Sequence, residues 1–213
     1  MPRSRPLTPA VIAETALRFG DREGPQAMSM RRIAGELGCD PMALYRHYAD
    51  REALLDAVAD LALADAADPD PAGSWEGRLR AVVTAIRSAA LRHPGIAAQI
   101  AARPPLGPQG RRLGAAMMTA LRDAGLPEPL VVKAAQTLVA YLAAGLAMST
   151  RAGTRDARWE QVSQAIDELP GGPPGRDLLI AGSDEQFEFG LRLLISGIRV
   201  EAGSARQRPG SSK

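Results

Sequence analysis

The chain has 213 residues, enough for one large domain or two small ones with a real core, and a net charge of only +2. Aromatic residues make up 4% and alanine is abundant, which disfavours sheets built on β-branched and aromatic runs and points to helices. So even a charge balance does not establish nucleic-acid binding, and a single cysteine, Cys39, excludes an intrachain disulfide and fits a reducing cytoplasm.

The opening MPRSRPLTPA has no long apolar run, so no secretory leader is expected. Leu138 to Met148 is too short for a membrane span, and no membrane partner is expected. Residues 1–7 read as a Pro/Arg arm, in which Arg3 and Arg5 are candidates to lie in a DNA groove or along phosphates. Thr8 then caps a helix with Pro9 at its first position and Val11, Ile12, Ala16, Leu17 and Phe19 as its apolar stripe. Ser29 caps a second helix, with Ile33, Ala34 and Leu37 inward, that stops at Gly38. Asp40 caps a third, with Pro41 at its first position and Leu44 and Tyr48 as core contacts. Asp50 caps a fourth that is expected to reach Ala67.

Residues 68–73, Asp-Pro-Asp-Pro-Ala-Gly, break the pattern and divide the chain into 8–67 and 74–203. Beyond the break, Ser74 caps a long helix that His93-Pro94 interrupts. One or two turns follow over Ile96–Ala102, then a loop to Pro108 and helices over Gln109–Ala124 and Pro129–Arg151. A weaker helix is expected over Thr154–Leu169, a Gly/Pro-rich loop over 170–176, and a last helix to Glu201. The tail from Gly203 is polar and expected to be disordered. Periodicity thus predicts an all-α chain of about nine to ten helices.

Met28 to Leu55 carries the functional signal. Two short helices joined by a glycine turn, the second polar and basic, describe a helix-turn-helix that can enter a DNA major groove. Helices this short need the flanking helices as a scaffold. Residues 1–51 hold eight Arg against six acids, so the charge there is only mildly positive. On the second helix Arg46 can donate two hydrogen bonds to a guanine edge, and Met42 and Ala43 can touch thymine methyls beside Pro41. Tyr45 and His47 suit phosphates, as does Arg51. Ser29, Met30 and Arg31, at the start of the preceding helix, can reach the DNA backbone or a neighbouring base.

Residues 8–58 resemble the DNA-binding domain of the TetR family of repressors. The likeness rests on Ile12-Ala13, Ala16-Leu17, Ser29-Met30-Arg31-Arg32-Ile33-Ala34, Leu37-Gly38, Leu44-Tyr45-Arg46-His47-Tyr48 and Leu54-Leu55. The rest is similar to the tetracycline-repressor-like branch of that family through Trp75, His93-Pro94, Ala102-Arg103-Pro104 and residues 187–197. The resemblance implies a cytoplasmic homodimer that binds a pseudo-palindromic operator and is released by a small inducer. Dimerisation would run through helices near 129–151 and 184–201, where Ala140, Ala143, Ala144, Gly145 and Ala147 allow close approach. Alternatives are an activator of the same fold or a helical protein–protein adaptor that binds no DNA.

In the tetracycline branch the resemblance implies a drug carried with Mg²⁺ and a histidine ligand just before the Arg-Pro step. That position here is Gln99, a poor substitute for an imidazole, and no acid stands near 148–151. No metal or other cofactor is therefore expected, and His93 reads as a helix-end residue. The expected inducer is mostly apolar, in a pocket lined by Ile86, Ala90, Met117, Met118 and Leu121, with Gln99, Gln136, Tyr141 and Met148 completing it. No GxSxG, HExxH, Walker A or GxGxxG pattern occurs, so no catalytic residues are expected and the chain does not read as an enzyme.

Overall fold

A computed structural model describes residues 6–102, 106–149 and 155–207. Arg3, Arg5, the Arg103-Pro104 step and the expected helix end at Arg151 lie outside the described residues. Within them the protein is all-helical, with ten α-helices, two short 3₁₀ turns and no strand.

The helices are α1 (Pro9–Glu23), α2 (Met30–Leu37), α3 (Pro41–Tyr45), α4 (Arg51–Ala62), α5 (Trp75–Arg92), α6 (Pro94–Ala102), α7 (Pro108–Asp123), α8 (Glu128–Ser149), α9 (Ala157–Asp167) and α10 (Asp184–Gln207). Side-chain caps start most of them where the sequence places Ser, Thr or Asp. Thr8, Ser29, Asp40, Asp50 and Ser74 each accept a hydrogen bond from a backbone amide of the first turn. Proline at the first position of α1 and α3 costs no hydrogen bond there.

Several boundaries differ from the sequence expectation. The α-helical part of α4 ends at Ala62 rather than Ala67, because Leu63 and Ala66 turn inward and Arg112 Nη2 takes the Ala66 carbonyl at 2.9 Å. α6 begins at Pro94, two residues early, and Asp21 Oδ1 accepts from the Gly95 amide in its first turn. α9 begins at Ala157, with Asp156 as its cap at 2.8 Å from the Trp159 amide. α10 continues past Gly203, where the disordered tail was expected to begin, to Gln207, since Ala202 is fully buried and Arg206 Nε donates back to its carbonyl at 3.2 Å.

One hydrophobic core runs through the molecule from the head to α10. α1 to α3 form the head, and α1 also packs on α4 and α6. α5, α6, α7 and α8 pack on one another behind it, so α6 stands between head and body. α10 lies on α8 and is tied to α5 by ion pairs: Arg80–Glu188 at 2.7 Å, Arg87–Asp184 at 2.5 Å and Arg199–Glu76 at 3.1 Å. By length and composition alone, α8, with 22 residues, is long and apolar enough to cross a membrane, contrary to the sequence expectation. Its Val131, Ala135, Leu138, Leu142 and Leu146 are buried against the other helices, while its opposite face is exposed in the single chain.

Candidate nucleic-acid interface and ligand cavity

The head presents α3 on a rigid support. Gly38 closes α2 in the left-handed conformation, φ +65°, which a side chain would strain. Leu44 is fully buried beneath α3, and the Tyr48 hydroxyl donates to the Pro9 carbonyl at 2.9 Å, pinning the end of the recognition segment to α1. With its inner face so fixed, α3 turns Met42, which is 64% exposed, together with Tyr45, Arg46 and His47 to solvent. Pro41 and Ala43 are half-buried beside them.

Charge at the head is sorted by ion pairing. Arg22 pairs with Glu23 and Glu36, Arg32 with Glu23, and Arg51 with Glu52. Arg31 and Arg46 are exposed and, among the described residues, carry no ion pair. Two cations are therefore left facing outward from α2 and α3, which the nearly neutral composition of this segment conceals.

The predicted DNA-contact residues separate on inspection. Arg31, Met42, Tyr45, Arg46 and His47 share the open surface of the head. Ser29 is half-buried and its hydroxyl caps α2 at 3.3 Å from the Arg32 amide. Met30 is 6% exposed and packs in the head core, so its side chain does not belong to the outward face. Arg51 spends its Nε on the Met28 carbonyl at 2.8 Å and is a brace between α4 and the segment before α2.

A cavity of about 270 Å³ lies among α5, α6, α7 and α8. Ile86, Ile100, Leu113, Met117, Leu142 and Leu146 give it apolar walls, and Leu63, just beyond α4, reaches it from the head side. Leu106 and Met118, both exposed, stand at its open edge. Gly110 and Gly114 make the α7 wall thin, and nothing lies within 4 Å of where a Gly114 side chain would begin. No carboxylate or imidazole lines it among the described residues, so the donor set does not fit Mg²⁺.

Of the predicted pocket residues, Ile86, Met117 and Met118 line this cavity. Ala90 and Leu121 are fully buried in the surrounding core but do not border it. Gln99 points to the head instead, its Nε2 3.5 Å from Glu52 Oε2. Gln136 is exposed on the outer side of α8. Tyr141 stacks on Phe187 and donates to its carbonyl at 2.7 Å, and Met148 is exposed at the far end of α8. The polar residues expected to orient a ligand are thus dispersed, because α8 turns a different face to α7 than its composition alone reveals. The unforeseen lining residues carried one readable signal, glycines 110 and 114 four apart on one face of α7.

Residues 12–58 match the family described as Bacterial regulatory proteins, tetR family, and residues 68–202 match the Tetracyclin repressor-like, C-terminal domain. The chain belongs to the TetR family. A transcriptional repressor of Streptomyces coeruleorubidus, DrrR1, is 29% identical over 94% of this chain and 80% of its own. Streptomyces coelicolor ActR, solved in complex with actinorhodin, is 32% identical, with a TM-score of 0.81 over 93% of this chain and 100% of that one. Mycobacterium smegmatis BioQ is 27% identical, with a TM-score of 0.70 over 92% and 99% of the two chains. BioQ has also been solved with its natural double-stranded DNA operator. The two matched segments coincide with the helical head and the larger helical body of the structure.

Proposed function

We propose that this TetR-family chain is a ligand-responsive transcriptional repressor, acting in the cytoplasm as a homodimer on a pseudo-palindromic operator. The observation that carries the reading is the open face of α3: Met42, Tyr45, Arg46 and His47 exposed over a fully buried Leu44, with Arg46 unpaired among the described residues. On this reading Arg46 reads a guanine edge, Met42 and Ala43 meet thymine methyls beside Pro41, and Tyr45, His47 and Arg31 hold phosphates. Two copies place their α3 helices in successive major grooves, about one helical turn of DNA apart.

The second copy docks on α8 and α10. Val132, Phe189, Leu193 and Val200 are exposed apolar residues on these two helices. Ala140, Ala144 and Ala147 lie exposed on α8 and allow close approach. Gly145 serves the monomer instead, since a Cβ there would meet the Phe187 ring at 2.9 Å, and Ala143 borders the cavity.

The inducer is a small, mostly apolar molecule held in the cavity of α5 to α8, and no metal takes part. It must bind more tightly to the form whose heads are wrongly spaced, and by reciprocity the operator then weakens inducer binding. The relatives' repressor role and the ActR and BioQ complexes support this reading, and a regulator has no need of catalytic chemistry. Selection of bound DNA from a random pool tests it, and the recovered site should be an inverted repeat. Arg46→Ala and Tyr45→Ala should each bind that site about tenfold or more weakly than wild type, the loss of one good base or phosphate contact. Unchanged affinity in both variants sinks the proposal.

A further inference from the structure

α7 begins without a capping side chain of its own. Its first-turn amides go instead to Asp60, a carboxylate in the last turn of α4: Gly110 N donates to Oδ1 at 2.8 Å and Gln109 N to Oδ2 at 3.2 Å. Gly107, at the N-cap, leaves room for that carboxylate, since a Cβ there would stand 2.3–2.6 Å from it and displace it. Asp60 is only 8% exposed. An acid in the last turn faces the negative end of its own helix, so α4 gains nothing from it, whereas the positive end of α7 does. Arg112, one turn into α7, holds the continuation of α4 from the other side. It donates to the Ala66 carbonyl at 2.9 Å and pairs with Asp68.

This two-part clamp sits on the wall of the cavity. Gly110, whose amide grips Asp60, lines the cavity, and so does Leu63, one turn beyond Asp60. We infer that Asp60 and Arg112 are the positioning residues through which cavity occupancy reaches the DNA-reading head. This rests on the repressor reading above. Without an occupant in the cavity, α7 caps on Asp60 and holds α4, and with it the head, in the operator-binding setting. An apolar occupant pressing on Gly110 and Leu63 moves the start of α7 from Asp60 and frees α4.

The clamp belongs to one of two linked states, so loosening it must move two affinities in opposite directions. The test uses the full chain, the operator recovered by selection with wild type, and 1-aminoanthracene as a fluorescent apolar probe of the cavity. Asp60→Asn keeps the shape but presents an amide N–H to one α7 donor, and Arg112→Gln opens the other half of the clamp without touching the buried carboxylate. Each should weaken operator binding about tenfold and tighten probe binding by a comparable factor. In wild type, saturating probe should release the operator and speed hydrogen exchange at the Gly110 amide. A merely structural role would lower both affinities together. That result, no change in Arg112→Gln, or a probe that neither binds nor releases operator overturns the inference. Failure of the wild type to select any DNA sinks the repressor reading itself and is seen before any variant is made.

Discussion

Asp21 Oδ2 on α1 lies 2.7 Å from His93 Nδ1, and the other oxygen of the same carboxylate accepts from the Gly95 amide at 3.2 Å. One acid of the head thus holds both the end of α5 and the start of α6. Asp60 does the same for the start of α7 from α4. The body of the protein therefore begins two of its helices on carboxylates supplied from the head side. Carboxylates at helix N-termini are favourable placements, and here they double as the mechanical joint between the two parts.

The joint at α6 is tight enough to be tested by one methyl group. A Cβ on Gly95 would stand 2.2 Å from the Gly20 carbonyl carbon, 2.4 Å from its oxygen and 2.7 Å from the Asp21 nitrogen. All three are backbone atoms, so no rotamer relieves the clash and α1 must back away from α6. Gly95→Ala should cost about 1–3 kcal/mol. For a chain of this size each kcal/mol lowers Tm by roughly 2–4 °C. Thermal unfolding at fixed protein concentration reads it directly, and an unchanged Tm would mean the seam is looser than its geometry.

Gly114 is the opposite case. It lies inside α7, borders the cavity and has nothing within 4 Å of its missing side chain. Gly114→Ala should stabilise the protein by up to about 1 kcal/mol through helix propensity alone. Gly114→Phe should go further and occupy the cavity itself. 1-Aminoanthracene binding should fall at least about tenfold, because the apolar volume is already filled. Titration of probe fluorescence against both variants separates the two effects, and tight probe binding to Gly114→Phe would place the ligand elsewhere.

The head was legible because its signals are local. Thr8, Ser29, Asp40 and Asp50 stand immediately before the helices they cap, and the Leu44-to-Tyr48 element names its own geometry. The pocket was not legible, because lining a cavity depends on which face α8 turns to α7 and α5. Gln136 and Tyr141 share a helix with Val139 and Leu142, yet only the latter pair reach the cavity. Met30 misled for a related reason: in the first turn of α2, one residue separates the outward face from the core. Asp60 was invisible because its partners are backbone amides about fifty residues away, and no side-chain pattern marks them.

Tyr48 offers a test that pH can read. Its hydroxyl donates to the Pro9 carbonyl at 2.9 Å, and burial pushes its pKa above the ordinary value of 10. Folding therefore favours the neutral phenol. The stability this contributes is fully present below pH 10 and is lost as pH rises from there through the raised folded value. Tyr141 is raised too, mainly by burial, so the comparison must be between wild type and Tyr48→Phe. At pH 7 the variant should be less stable by about 0.5–1.5 kcal/mol, the worth of one hydrogen bond. Above pH 10 the gap should narrow, since only wild type bears the alkaline penalty at this position. A gap that widens with pH would show that Tyr48 ionises more easily in the folded head than outside it.

Leu193 tests the assembly. It is 58% exposed on α10 and lines a groove of about 280 Å³ between α8 and α10, with Leu130, Ala134 and Ile198. An apolar groove flanked by exposed Val132 and Val200 leaves a large water-facing apolar surface unless a second copy covers it. Leu193→Asp puts a charge into that contact, and an unpaired carboxylate at a closed interface carries a desolvation penalty of several kcal/mol. Because a two-fold interface repeats every change, the penalty falls twice in each dimer. Sedimentation should show a folded monomer in place of the dimer, with helical content intact, since Leu193 points away from the monomer core. Operator affinity should fall on the order of a hundredfold, because one head alone loses the effective concentration that the second provides. A variant that stays dimeric and binds the operator normally would move the subunit contact off α8 and α10.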